Sequence, residues 1–244
     1  MNIMANEEKS RLDAVAMKSV YDKGANAAGI RYGYKVASRF IKYGATLELG
    51  PAEGLMTELL CSVVPSLTCV DGSELFCKEL KKKFPNVFVI NSLFEDLFLE
   101  SKFLNIILGH VLEHVNDPVV VLERIKQFLL PQGVIFAAVP NARSLHRQAA
   151  VEMGILDSEH ALNEMDIHHG HRRVFDPESF RQVFIRAGLK VDFFGGYWLK
   201  PVSNGQIERD WDGEMIGAFM KLGERYPDVA AEIYVVASLP GESS

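Results

Sequence analysis

From Ala45 onward, short apolar runs alternate with amphipathic stretches, and this alternation narrows the available folds more than any other feature of the chain. The runs at 45–50 (ATLELG), 67–71 (LTCVD), 87–90 (VFVI), 104–109 (LNIILG) and 133–139 (GVIFAAV) are rich in β-branched and aromatic residues. Continuous hydrophobicity of this kind marks strands covered by helices on both faces, as in a parallel sheet. Helices are expected between them at 54–64, 73–84 and 117–130. The last has Asp117 to cap it, Pro118 for its first position, a stripe of Val121, Leu122, Ile125, Phe128 and Leu129, and Pro131 with Gly133 to stop it. Strand alternating with helix means βαβ units and a doubly wound α/β sheet.

The two ends break this rhythm. Helical stretches at 9–23 and 31–43 flank the flexible-looking KGANAAG, so residues 1–44 read as a helical lid and 45–244 as the main domain. A long polar segment follows Val139, then a helix at 176–187 opened by Asp176 and Pro177, a strand at 189–194, a helix near 214–226 and a last strand at 232–238. The two closing strands suit an antiparallel hairpin, and 141–175 and 195–228 suit insertions over the substrate.

A chain of 244 residues, 48% hydrophobic, can close one sizeable core. With 26 basic against 32 acidic residues the net charge is −6, which offers no field for a phosphate backbone. Cys61, Cys69 and Cys77 are spaced eight apart, which fits neither a zinc clip nor a disulfide framework, and they read as reduced, buried thiols. No apolar run approaches about 18 residues, and the first residues are polar. The expectation is a cytoplasmic monomer or homodimer that binds neither nucleic acid nor membrane.

The first strand runs into Glu48-Leu49-Gly50-Pro51-Ala52-Glu53-Gly54. Small residues at 50, 52 and 54 let the backbone turn sharply and approach a ligand, while the following helix offers free N–H donors. The turn lies at the carboxyl end of a strand, where open parallel sheets bind ligands. Leu55 and Ala52 spoil the spacing of a dinucleotide fingerprint, so a nicotinamide oxidoreductase is disfavoured. Asp71 ends the second strand twenty-one residues after Gly50, ahead of Gly72, and can accept hydrogen bonds from both hydroxyls of a ribose. Asn91-Ser92-Leu93-Phe94 ends the third strand, where backbone and side chains can meet an adenine edge.

ELGPAEG, VDGS, LGHVLEHVNDP and LLPQGVIFAAVPN, in this order, resemble the class I S-adenosylmethionine-dependent methyltransferases, within them the branch of ubiquinone-biosynthesis O-methyltransferases and natural-product and sugar methyltransferases. The resemblance covers about residues 45–187. It implies a Rossmann-like sheet of seven strands, mostly parallel with a C-terminal antiparallel hairpin, helices on both faces and S-adenosyl-L-methionine as cofactor. It also implies that Glu48 and Gly50 line the methionine pocket, Asp71 holds the ribose, Leu93 and Phe94 frame the adenine, and His110 with Leu112 lies beside the sulfonium. Two positions depart from the family pattern: Ala52 stands for a glycine, and Ser92 for an acid, with Glu95 and Asp96 just downstream.

Four of the seven histidines fall in the segment His160, His168, His169 and His171. No cysteine or regularly spaced carboxylate accompanies them, so no metal is expected. His171, Phe175, Pro177 and Phe180 match the resembling family's H-x-x-x-F-x-P-x-x-F/L, a loop that closes over the methyl acceptor. His171 is thus the candidate base, with His168, His169, Arg172 and Arg173 as binders of an acidic acceptor and Trp198 facing the same cavity. The expected reaction is methyl transfer to an oxygen or nitrogen of a small metabolite. The rival is a cofactor-binding protein without turnover, or a partner-activating subunit.

Overall fold

Seven strands form one sheet in the order β3-β2-β1-β4-β5-β7-β6 in a computed structural model that describes residues 3–241. In chain order they are β1 (Thr46–Leu49), β2 (Leu67–Asp71), β3 (Phe88–Asn91), β4 (Phe103–Gly109), β5 (Leu129–Pro140), β6 (Lys190–Tyr197) and β7 (Glu232–Ser238). The first five run parallel, and β7 pairs antiparallel with both β5 and β6. The expected closing hairpin is therefore present, with β7 inserted between β5 and the edge strand β6. The order reverses between β1 and β4, which opens a crevice at their carboxyl ends.

The sheet separates two cores because successive side chains on a strand point to opposite faces. Leu47, Leu49, Val70, Ile106 and Leu108 face Val121, Leu122, Phe180 and Phe184, which lie on α5 (Pro118–Ile125) and α8 (Pro177–Arg186). Cys69, Ile107, Phe136 and Tyr234 face the other way, toward α2 (Gly24–Ala37), α3 (Leu55–Cys61) and α4 (Glu74–Lys83). The expected caps form. Asp117 accepts from Val119 N at 2.8 Å, and Asp176 from Ser179 N at 2.7 Å in a capping box.

Several boundaries differ from the sequence expectation. Helix α1 (Ile3–Ala16) stops early, and α2 begins at Gly24, inside the segment expected to be flexible. Tertiary packing explains this: Ala25 is buried, Gly29 leaves room for Trp198, and a Cβ at Gly33 would reach within 2.9 Å of the Tyr197 hydroxyl. Small residues four apart thus form the face that approaches β6. Residues 129–130, expected to end a helix, instead open β5, since Pro131 biases the preceding backbone toward extension. The region 141–175 folds into α6 (Leu145–Glu152) and α7 (Glu164–His169), and α9 (Asn204–Asp210) precedes α10 (Gly213–Gly223). Cys69 and Cys77 are buried, Cys61 is exposed, and all three are free thiols. Among the described residues no helix is long and apolar enough to cross a membrane.

Candidate active site

The turn after β1 is built on three left-handed residues, Gly50 (φ 64°), Ala52 (φ 47°) and Gly54 (φ 81°). A Cβ on Gly50 would come within 2.8 Å of Val111 Cγ2, so this position has no room for a side chain as well as an unfavourable backbone. Opposite, Asp71 accepts from Ser73 N at 2.8 Å and is also bonded by the Ala52 amide. Burial pushes its pKa up to about 6. The two amides oppose that shift, and the Asp13 and Glu53 carboxylates add to it. Such a carboxylate has spare acceptor capacity toward the crevice.

A cavity of about 370 Å³ opens at this point, within the usual range for small-ligand sites. Gly50, Ala52, Asp71, Gly72, Leu93, Phe94 and His110 line it. Glu95 and Asp96 stand beside Leu93 and Phe94. Its outer wall is α1, through Glu8, Leu12 and Val15. Asp13 holds that helix down by accepting from Ser73 Oγ at 2.6 Å and Leu75 N at 3.2 Å. A second chamber of about 70 Å³, lined by Glu48, Met56, Phe136 and Tyr197, shares Tyr21, Gly50, Ala52 and His110 with the first. Glu48 is buried and accepts from Thr57 Oγ1 at 2.7 Å and Cys69 Sγ at 3.3 Å, and burial raises its pKa to about 7.

Around the junction of the chambers, titratable side chains gather. His110 follows β4 with φ 57°, a strained conformation for a non-glycine residue. Its Nδ1 is 3.4 Å from Glu113 Oε1 and its Nε2 is 3.7 Å from Glu232 Oε2. Burial opposes charge on His110, but the carboxylates of Glu232 and Glu113 outweigh it and raise its pKa. Burial likewise opposes ionisation of Glu113, yet the neighbouring histidines hold it below the usual carboxylate range. His114 and His169 are both taken down to about 4, chiefly by burial. His171 Nδ1 lies 3.2 Å from Asp166 Oδ1, and Asp166 is paired with Arg147 at 2.9 Å.

The structure separates the remaining sequence candidates. Leu112 is in the core, Gly54 packs on Leu80 and Phe84, and Ser92 turns its hydroxyl to Leu93 O at 2.8 Å; none of the three lines either chamber. Trp198 is buried in a left-handed conformation (φ 66°) between Gly29 and Lys200, away from the chambers. His168 is exposed on α7, whereas the His169 ring stacks on Tyr21 at 4.7 Å. Arg172 donates to His114 O at 2.9 Å and Glu8 at 2.8 Å, and Arg173 donates to the carbonyls of Leu112, Val115 and Asn116. Both guanidinium groups are thereby engaged in joining loops. His171 backs His114 edge-on at 4.7 Å and does not line the cavity. Sequence reasoning missed Leu12, Val15, Tyr21, Glu113 and His114. For the last two, the spacing from His110 by three and four residues was a signal.

Residues 31–192 match a family model described as a methyltransferase domain. The chain belongs to that family. No curated protein matches it. This methyltransferase is similar in fold to a SAM-dependent methyltransferase from Thermotoga maritima, at 15% identity and TM-score 0.63, over 96% of each chain. It is also similar to a chain of a complex between the Haloferax volcanii Trm112 methyltransferase activator and a methyltransferase, at 15% identity and TM-score 0.64, over 97% of this chain and 99% of that one. The N-methyltransferase NodS from Bradyrhizobium japonicum, solved with S-adenosyl-L-homocysteine, matches at 12% identity and TM-score 0.59 over 97% of both chains.

Proposed function

We propose that the protein transfers a methyl group from S-adenosylmethionine to an oxygen or nitrogen of a small metabolite. The observation that carries the reading is Asp71, buried at the end of β2 and facing, across one cavity, the left-handed turn at Gly50. The residues fit the cofactor. Asp71 can accept from both ribose hydroxyls, Leu93 and Phe94 form an apolar slot for a purine, and Leu12 and Val15 exclude water from above. Glu48 and the amides after Gly50 provide for an amino-acid end in the smaller chamber. When bound, S-adenosylmethionine supplies an electrophilic methyl on a sulfonium. The protein's part is then positioning, desolvation and management of a proton at His110, Glu113, His114 and His171.

S-adenosylhomocysteine should raise the melting temperature in a dose-dependent way, because a ligand specific to the native state stabilises it by mass action. No shift at millimolar ligand removes the cofactor from the reading. Isotopically labelled cofactor incubated with metabolite extracts then identifies the acceptor. A second reading, in which turnover needs a partner or is absent, is favoured by the activator complex among the similar structures. Transfer by the purified chain alone excludes it.

A further inference from the structure

Cofactor binding leaves Glu113 unexplained. Its side chain is 1% exposed, and neither carboxylate oxygen accepts a hydrogen bond. The nearest basic groups, His110 Nδ1 at 3.4 Å and His114 Nε2 at 3.9 Å, lie beyond good hydrogen-bonding range. A buried carboxylate held only by long contacts is costly, and such groups persist where a charge or a metal offsets them.

Two imidazoles complete the arrangement, and each is anchored through one nitrogen. The Nδ1 of His171 lies against Asp166, which Arg147 and the Asn163 amide hold in turn, so Nε2 keeps its lone pair. His114 is engaged by the backbone of Gly170 and presents Nε2 to Glu113, with the Tyr21 hydroxyl 3.5 Å away. Carboxylate or carbonyl partners that fix the orientation of an imidazole are the usual outer support of metal-ligating histidines. One donor atom each from Glu113, His114 and His171 fall within 4.8 Å of one another. We propose that these three residues bind a divalent transition-metal ion at the acceptor side of the cavity, with open coordination positions toward His110.

Two imidazoles and one carboxylate suit ions such as Zn²⁺, Co²⁺ or Mn²⁺, and three protein ligands leave places for water or substrate. Bonds of about 2.0–2.2 Å would draw the donors roughly 1 Å closer together. The ligands come from two distant loops, the one after β4 and the one before α8, so the ion staples them. Because His114 and His110 both line the cavity, the open positions favour an acceptor with oxygen donors, such as a hydroxyl beside a second oxygen. That acceptor class rests on the methyltransferase reading; the ion site does not. Sequence alone suggested no metal, because the carboxylate that joins the histidines stands 58 residues before His171 in the chain.

The test is titration of chelator-treated full-length protein with Co²⁺, read by visible absorption, and with Zn²⁺, read by calorimetry. The expected result is one ion per chain and a rise in melting temperature. Glu113→Gln and His171→Asn should each weaken Co²⁺ binding at least about 100-fold, and Asp166→Asn by roughly 10–100-fold, the range for outer-shell partners. Cooperative unfolding identifies the variants that have folded, and Glu113→Gln removes a buried charge without changing shape. Absence of stoichiometric Co²⁺ uptake by the natural chain overturns the proposal, as does uptake undiminished in both Glu113→Gln and His171→Asn. The melting shift with S-adenosylhomocysteine, measured on the same preparations, reports on the cofactor site separately: cobalt binding without that shift would overturn only the cofactor reading.

Discussion

The two ends of the cavity are built on opposite principles. At the Gly50 end, backbone amides do the holding. Asp71 is fixed by the Ser73 and Ala52 amides, and the turn owes its shape to left-handed residues a few positions apart. At the His110 end, ionisable side chains face one another from β4, α7 and β7 with long contacts and orphaned oxygens. The first arrangement is closed on itself by hydrogen bonds, and the second leaves buried oxygens without partners. On the proposed function, we infer that the first end serves recognition and the second chemistry.

The strongest way to break this division is Gly50→Val. The branched side chain has nowhere to go between Val111 and Phe94, so S-adenosylhomocysteine binding should disappear while the fold persists. Normal calorimetric affinity in this variant would take the turn out of the site. The reciprocal change is His171→Ala, which removes the ring behind His114 and should lower the single-turnover rate roughly 10–100-fold with cofactor affinity nearly unchanged. A change confined to the acceptor's Michaelis constant would make it a binding residue. Asp71→Ala should weaken cofactor binding by about 1.5–3 kcal/mol, the range for a hydrogen bond to a charged group. Undiminished affinity would leave Asp71 a capping role only.

Smaller effects sharpen the comparison. Burial raises the Glu48 pKa from 4.5 to about 7, so the stability tied to its protonated form is full below about 4.5 and is lost as pH rises through about 7. Stability should therefore fall by about 1 kcal/mol more between pH 6 and pH 8 in the natural chain than in Glu48→Gln. Equal pH slopes would mean that Glu48 is not the group responsible. Ala52→Gly relieves a left-handed alanine and should be worth at most about 1 kcal/mol, measured by denaturant unfolding. A marked loss of stability would show that the methyl group packs.

Legibility in the sequence followed the same division. The strands, the turn and Asp71 could be read because each is specified within a few residues: five apolar runs, an acid ending the second, small residues where the chain must bend. At the His110 end the sequence singles out His110 and His171 but not Glu113 and His114, whose three- and four-residue spacing from His110 gains meaning only when a loop 57 or 58 residues later folds back on them. Trp198 was misleading in a different way. An aromatic residue in a glycine-rich turn reads as cavity lining, but its left-handed backbone and the slot at Gly29 send it inward. Helix α1 belongs to the segment that reads as a lid, but the sequence does not say which of its side chains meet the cavity, because its apolar residues make no sustained stripe.

The tethers of α1 carry a kinetic consequence. Asp13 accepts from Ser73 and Leu75 beside the proposed nucleoside pocket, while Glu8 accepts from Arg172 and Arg11 donates to Gly170 in the loop that also carries His171. If release requires α1 to lift, these fastenings break together. Entry and exit at the proposed cofactor end would then be timed by the event that loosens the proposed acceptor end. Exchange of spent cofactor and opening toward the acceptor would become one step in the cycle, with a shared rate.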